Sequence, residues 1–535
     1  MPNRTFFKAN SFKGLAAMLL FLFAGSFASY FLYGPYYSPD TVNYFNFSQV
    51  IFQKNIWTGI YSPAYPFLLW CLTRLFPLTL FRASHLLILV QYGLGIYFLF
   101  RWTKIHAAHY RFNRGKAAGL LLSMLIIFHS WWSFRIISWA HADAVFYCLL
   151  ILWAYSLSQY FTENNHRQLL LLSLVSSAMI WVKLNALALL PFYVLLIITD
   201  THRKRWLAPL GVTTVAYAGY RYLSQYRLLD SGTSGGDIGF SLFSGESLGL
   251  LANNLAESFR STLGFFLSDL LTAYVPQIVA IVGGGLLLLF LAFLAFNEIK
   301  AGINLSSLFL LFGLVYLLCQ LAFQQLIGFE EINYRTLFPY FLTCSGYGLF
   351  KLSQQKKLPV KTIILAALLI SGHTLAGHAW LWQRGEVNSL FEVERLAETE
   401  MVDKLRLLHQ DDLTDNSFIS NRPELLGLLL DAPFVVHYDP EFDFIHGKRR
   451  PVPDLQRQQR RVDLMERLLK AEAVVVVFGE DEDLIRLAKE NGLVVAEFPE
   501  GVVVRGLSGR EKETEGRGES SGDASNTVIN FKPFS

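Results

Sequence analysis

Long apolar runs separated by short polar links dominate the first 380 residues. The runs lie near 12–33, 82–103, 117–137, 144–162, 168–182, 185–199, 206–223, 273–296, 303–328, 334–352 and 361–380. A helix needs about 20 such residues to cross a bilayer, so the pattern predicts about eleven spans. Past residue 384 the pattern changes. Ser417–Ser420, Phe434–Tyr438, Ala473–Phe478, Leu493–Glu497 and Gly501–Arg505 read as strands. Between them, 424–430, 454–470 and 483–491 read as helices. That alternation predicts a small α/β domain with a largely parallel sheet. The last segment, 507–535, is rich in Gly, Ser and Glu and is expected to be disordered.

Composition agrees with the pattern. The chain is 53% hydrophobic and 16% charged, against about 25% charged in soluble domains. With 45 Phe, 24 Tyr and 11 Trp it is neither collagen-like nor a disordered polymer. The net charge of +4 conceals a split. Residues 1–380 hold 26 Lys and Arg against 12 Asp and Glu, a balance of +14, and residues 381–535 balance at −10.

Excess bases face the cytoplasm in multi-pass proteins. With the N-terminus inside, 17 of the 26 bases fall inside, among them the Arg203–Arg205 cluster, whereas the reverse topology puts the clusters outside. The expected architecture is thus an all-α polytopic membrane bundle over 1–380. A first outer loop lies at 34–81 and a large one at 224–272. A C-terminal extracytoplasmic α/β domain covers 381–506, and the tail follows at 507–535. The first run follows Arg4, Lys8 and Lys13 and reads as a retained anchor. A break at Lys183 divides 168–182 from 185–199 into two spans. Cys71, Cys148, Cys319 and Cys344 lie in apolar segments without CxxC spacing, so neither a zinc site nor a disulfide framework is expected. Nothing in the charge pattern points to nucleic acid.

The expected chemistry gathers where polar residues meet outward span ends, since ionisable groups at membrane depth are costly. Between 40 and 53 a short amphipathic stretch sets Asp40, Tyr44 and Phe47 on one helical face. Trp57, Tyr61 and Tyr65 suit the interface. Ser38, Pro39 and Asp40 also make a good helix start. In the second outer loop, His141 and Asp143 stand two apart before a span. They can share a divalent cation or position a metal-bound phosphate; alternatively Asp143 merely caps the helix. Lys183 either serves the site or snorkels. Arg335 either grips a phosphate or pairs with Glu330 or Glu331. The loop Ser231–Asp237 is Gly-rich but lacks the Lys-Ser/Thr of a P-loop. Asn421-Arg422-Pro423 reads as a turn, Lys448-Arg449-Arg450 as a solvated basic loop, and Gly283-Gly284-Gly285 as a soft point in one span.

Asp40 just past the first run, an interfacial helix and Pro63-Ala64-Tyr65-Pro66 together resemble the GT-C superfamily of membrane glycosyltransferases. The nearest look is to its protein O-mannosyltransferase and aminoarabinose-transferase-like branch. His141-Ala142-Asp143, Trp181-Val182-Lys183 and Asn333-Tyr334-Arg335 through Pro339 extend the resemblance over roughly residues 12–380. It departs where His141 replaces an acid and Lys183 an Arg. The resemblance implies transfer of a sugar from a polyprenyl-phosphate donor to a lipid, polysaccharide or protein acceptor. The reaction would proceed with inversion on the outer face of a plasma (inner) membrane. Asp40 would be the base or an acceptor-orienting carboxylate, with Asp143 and His141 as its catalytic company. Lys183 and Arg335 would hold the donor phosphate, and Tyr44, Tyr61, Tyr65 and Glu331 would line the substrate. A divalent metal, Mg or Mn, is left open, with Asp40, His141 and Asp143 as candidate ligands. A flippase or transporter of lipid-linked sugars and a non-enzymatic assembly protein are the competing readings.

Overall fold

The computed structural model describes residues 41, 44, 45, 47, 48, 63–129, 136–137, 140–200, 202–228, 245–267, 276–327, 332, 334–354, 395–410, 417–430, 436–437, 442–445, 448–451, 454–470, 473–479 and 481–506. The chain forms two compact units. One holds residues up to Val393 together with Phe444–Arg449, and the other holds the remainder.

The first unit is helical: α1 (Ala64–Leu75), α2 (Leu80–His109), α3 (Arg114–Phe128), α4 (Ala142–Glu163), α5 (His166–Val182), a 3-10 turn at Leu184–Ala188, α6 (Leu189–Thr199), α7 (Leu207–Leu228), α8 (Gly245–Leu267), α9 (Gln277–Ala301), α10 (Ser307–Ile327) and α11 (Tyr334–Gln354). Local chemistry sets the ends. Thr79 and Asn113 cap α2 and α3 by accepting the backbone N–H three residues on. Asn164 closes α4 in the left-handed region at φ 49°, and Asn165 caps α5 by accepting from Gln168 N at 2.9 Å. Two asparagines thus turn the chain from one helix into the next.

Among the described residues, α2, α4 and α9 are long and apolar enough to cross a membrane. This corrects the expectation of eleven spans. The runs at 12–33 and 361–380 lie outside the described residues. Of the others, α3 has 15 residues, α5 has 17 and α6 has 11, short of the ~20 a lone crossing requires. An apolar run records burial of either kind, against lipid or against protein, and several of these helices are buried by neighbouring helices. Helix α9 is the opposite case. Ile278, Leu286, Leu289, Phe290 and Phe293 are all exposed along it, an apolar face too large for a helix bathed in water.

The division at Lys183 is a true reversal. Tyr193 on α6 returns to Ser176 on α5, with their hydroxyls 2.7 Å apart, and takes the indole N–H of Trp153 at 3.1 Å.

Glycines set two close helix contacts. A Cβ on Gly284 would stand 1.8 Å from the carbonyl oxygen of Phe259 on α8. On Gly313 it would stand 2.6 Å from Cys344 Sγ. The triple glycine is therefore a packing surface for α8, not a soft point in α9. Gly284→Ala is expected to cost about 2 kcal/mol or more, because a backbone carbonyl cannot step aside as a side chain can. Gly348→Ala, with open space around it, is the control. Thermal unfolding of the two variants in detergent checks this, and equal melting points would refute it.

From Glu400 on, the chain forms α12 (Glu400–Gln410), β1 (Ser417–Ser420), α13 (Pro423–Leu430), β2 (Val436–His437), β3 (Phe442–Ile445), β4 (Lys448–Pro451), α14 (Asp454–Leu469), β5 (Ala473–Phe478), α15 (Glu482–Glu490), β6 (Val494–Phe498) and β7 (Gly501–Arg505), all in the second unit but for the Phe444–Arg449 part of β3 and β4. The main sheet runs β2-β1-β5-β7-β6. Strands β2, β1 and β5 are parallel, while β7 is antiparallel to both β5 and β6. The sheet is thus mixed rather than largely parallel. Only Pro499 and Glu500 join β6 to β7, which permits a hairpin but no crossover. Gly501 is required beside β5, since a Cβ there would lie 2.1 Å from Val477 O. Val475, Val477 and Val504 pack with Leu468 and Leu484 on one side of the sheet, and Val474, Val476 and Val503 with Met401 and Leu426 on the other. The basic residues at 448–450 form strand β4, paired with β3, rather than a loop.

Asn421 is more than a turn residue. Its side-chain amide donates to Phe478 O and accepts from Phe478 N, both at 3.0 Å. It thereby ties the end of β1 to the end of β5.

Candidate functional site

Helix α4 begins beside His141, whose backbone is extended and whose Nδ1 lies 3.3 Å from Asp143 N. Asp143 occupies the first turn, where a carboxylate suits the positive end of a helix. The cap of this helix is thus His141 rather than Asp143. The Asp143 carboxylate collects charge from two distant segments. Lys183, at the C-terminal end of α5, bonds Asp143 Oδ1. Arg335, in the first turn of α11, brings Nε to 3.6 Å from Oδ2. His141 Nδ1 lies 2.9 Å from the same oxygen. Nδ1 thus stands between the Asp143 N–H, from which it accepts as the helix cap, and the carboxylate, to which it donates only in the tautomer that places the proton there.

Burial differs across the cluster. Side-chain exposure is 6% for Asp143 and 10% for Lys183, but 23% for Arg335. Lys183 therefore does not snorkel; its ammonium is turned onto the carboxylate. Ile136, Phe146, Tyr147, Tyr316, Phe338 and Pro339 complete a small cleft with Asp143, Lys183 and Arg335. An apolar wall around fixed charges strengthens any electrostatic contact made inside it.

Tyr44 stands next to His141, and Tyr65 next to Tyr44. The Tyr44 ring meets His141 edge-on at 5.0 Å and Tyr65 at 5.1 Å. Six of the nine residues singled out from the sequence therefore fall into one neighbourhood: Tyr44, Tyr65, His141, Asp143, Lys183 and Arg335. Asp40, Tyr61 and Glu331 lie outside the described residues, as does Glu330.

The far ends of the same helices carry a different kind of polar group. Asp200 accepts from Arg205 Nη2 at 2.6 Å, Trp206 Nε1 at 2.6 Å and His202 N at 3.0 Å. Burial alone would raise its pKa, but these donors hold the carboxyl below the usual range. Glu298 accepts from Lys351 at 2.6 Å, Tyr347 at 3.0 Å and Asn304 at 2.6 Å. Each of these acids has one cation and neutral donors, as befits an anchor. Asp143 meets two cations and an imidazole.

The described residues do not suit a divalent metal. No group of three or more His, Cys, Asp and Glu occurs among them. A cation entering at Asp143 would meet the ammonium of Lys183 and the guanidinium of Arg335 on the same carboxylate. The chemistry that fits is anionic: two cations from separate helices, held in place by one acid, at the wall of an aromatic cleft.

Sequence reasoning missed Asn185 and Gln320. Asn185 Nδ2 donates to Gln320 Oε1 at 2.9 Å, and both residues are buried. A glutamine inside the run Leu317-Leu318-Cys319-Gln320-Leu321 was the available signal.

No family model and no curated protein matches the chain. Among solved structures it is similar to the archaeal oligosaccharyltransferase AglB from Archaeoglobus fulgidus, determined with an inhibitory peptide and a dolichol-phosphate. The TM-score is 0.44 at 12% identity, covering 86% of this chain and 69% of that one.

Proposed function

We propose that the protein is an integral membrane glycosyltransferase. It moves a sugar from a polyprenyl-phosphate donor to a lipid, polysaccharide or protein acceptor at the outer face of the membrane. The observation that carries this reading is the convergence of His141, Lys183 and Arg335 on Asp143 at one end of an apolar helical bundle. A lipid-linked donor needs an apolar surround for its chain and a small charged site for its phosphate, and the cleft has both characters.

The residues divide the work. An acceptor hydroxyl, losing its proton to Asp40, attacks the anomeric carbon from the face opposite the phosphate, and configuration inverts. The bond from that carbon to the phosphate oxygen breaks, and its electron pair stays on the phosphate. Arg335 and Lys183 stabilise the charge that builds there. Asp143 positions both cations; with its charge engaged by them, it is poorly placed to take a proton. Tyr44, beside His141, and Tyr65 behind it line the approach.

The test is reconstitution of the full chain in liposomes with labelled polyprenyl-phosphate sugars and each acceptor class. Asp40→Asn is expected to lower transfer by about 10²–10⁴-fold with expression and folding intact. Unchanged transfer would remove Asp40 from the mechanism. Movement of the intact lipid-linked sugar across the bilayer, with no transfer, would replace this reading by a flippase.

A further inference from the structure

We propose that the Asn185–Gln320 amide pair is a recognition point for a sugar hydroxyl. It would distinguish a sugar-bearing prenyl phosphate from the bare carrier. The proposal rests on Lys183 and Arg335 holding the donor phosphate.

Each member of the pair stands a few residues along the chain from a residue that lines the cleft. Asn185 follows Lys183 by two residues, in the 3-10 turn that Lys183 opens. Gln320 lies one helical turn along α10 from Tyr316, on the same face, and Tyr316 lines the cleft with Lys183, Asp143 and Arg335. Both amides are buried, at 5% and 6% exposure. Gln320 gives its carbonyl to Asn185, and its Nε2 has no partner among the described residues.

Buried amide groups without a partner among the described residues also occur at Gln91 and Asn254; that of Gln320 lies one helical turn from a residue of the cleft. The buried hydroxyls of Ser258, Thr262 and Thr343 each bond a carbonyl of their own helix, so they cost the fold little. Gln320 leaves over a buried polar group of the kind that is normally answered. Turning the two amides over does not remove the surplus. It moves the unanswered group from the N–H of Gln320 to its carbonyl. A hydroxyl both donates and accepts, so it complements either arrangement. A phosphate oxygen complements only the first, and it is already served by two cations.

The experiment measures binding to the full chain in nanodiscs. The probes are decaprenyl phosphate, decaprenyl diphosphate, and decaprenyl-phosphate esters of mannose, glucose, galactose and arabinose. Wild type is expected to prefer at least one ester over the bare phosphate. In Gln320→Met, which keeps the volume and removes the amide, that preference should fall about tenfold, the worth of a hydrogen bond. Affinity for bare decaprenyl phosphate should stay within about twofold. If Gln320→Met does not fold, Gln320→Asn, which keeps the amide but shortens its reach, is held to the same criteria. The proposal is overturned if wild type shows no preference for any ester. It is also overturned if the preference survives the substitution, or if phosphate and diphosphate affinities fall in step with it. A wild-type protein that binds no decaprenyl phosphate at all overturns the phosphate site first, and this proposal with it.

Discussion

Asp143→Ala is expected to destabilise the protein by about 3–5 kcal/mol, the usual cost of removing one partner from a buried ion pair. The cost falls chiefly on Lys183. Its ammonium is buried against Asp143, and removing the carboxylate strands that charge in an apolar wall. Arg335 is nearer to water and can turn outward. The double variant Asp143→Ala/Lys183→Met should recover much of the loss, since apolar replacements of both members are often tolerated. Lys183→Met alone should cost less than Asp143→Ala, because Asp143 retains Arg335 and His141. Chemical denaturation of the four proteins in one detergent measures the cycle. Sugar transfer should be absent from both Asp143 variants, so recovery of stability without recovery of activity separates the two roles. An Asp143→Ala protein as stable as wild type would show that the pair does not hold the bundle together.

Arg335→Ala should behave in the opposite way. Its guanidinium lies 3.6 Å from Asp143 and is about a quarter exposed, so the loss of stability should stay under about 1 kcal/mol. Transfer should fall about 10²–10³-fold, as when a donor to a developing oxyanion is removed. Arg335→Lys should restore part of the rate, since it returns the charge without the planar fork. The fall should appear in kcat, because the negative charge on the phosphate is greatest as the sugar leaves. Steady-state kinetics on the liposome system provides the check. A raised KM with unchanged kcat would make Arg335 a ground-state binder and leave the leaving-group role to Lys183.

Much of this site can be found in the sequence by one criterion. Charged residues inside or beside apolar runs are costly, and His141, Asp143, Lys183 and Arg335 are all flagged that way. The structure adds which of them meet. Lys183 could snorkel or pair, and Arg335 could serve a phosphate or a nearby glutamate. Such choices depend on which helix ends lie together, and periodicity along one helix carries no such information. The Asn185–Gln320 pair escaped because an uncharged amide raises a weaker signal than a charge. The helices themselves are legible from the apolar runs, but the number that cross a membrane is not. A leucine facing lipid and a leucine facing another helix look alike in a one-dimensional pattern. Past residue 400 the valine-rich strands announce themselves. Strands β3 and β4 do not, because Lys448, Arg449 and Arg450 hide a strand behind charge.

The contact between α8 and α9 bears on how this sequence can change over time. At Gly284 the neighbour is a main-chain carbonyl, which no substitution elsewhere can make smaller. A larger residue at 284 could be accommodated only by moving a whole helix. Gly93 and Gly348 face open space and have no such restriction. Descendants of a common ancestor that retain this bundle should therefore drift freely at 93 and 348 while keeping glycine at 284. The permitted alphabet there is set by the backbone of another helix, even where the chemistry of the site has diverged.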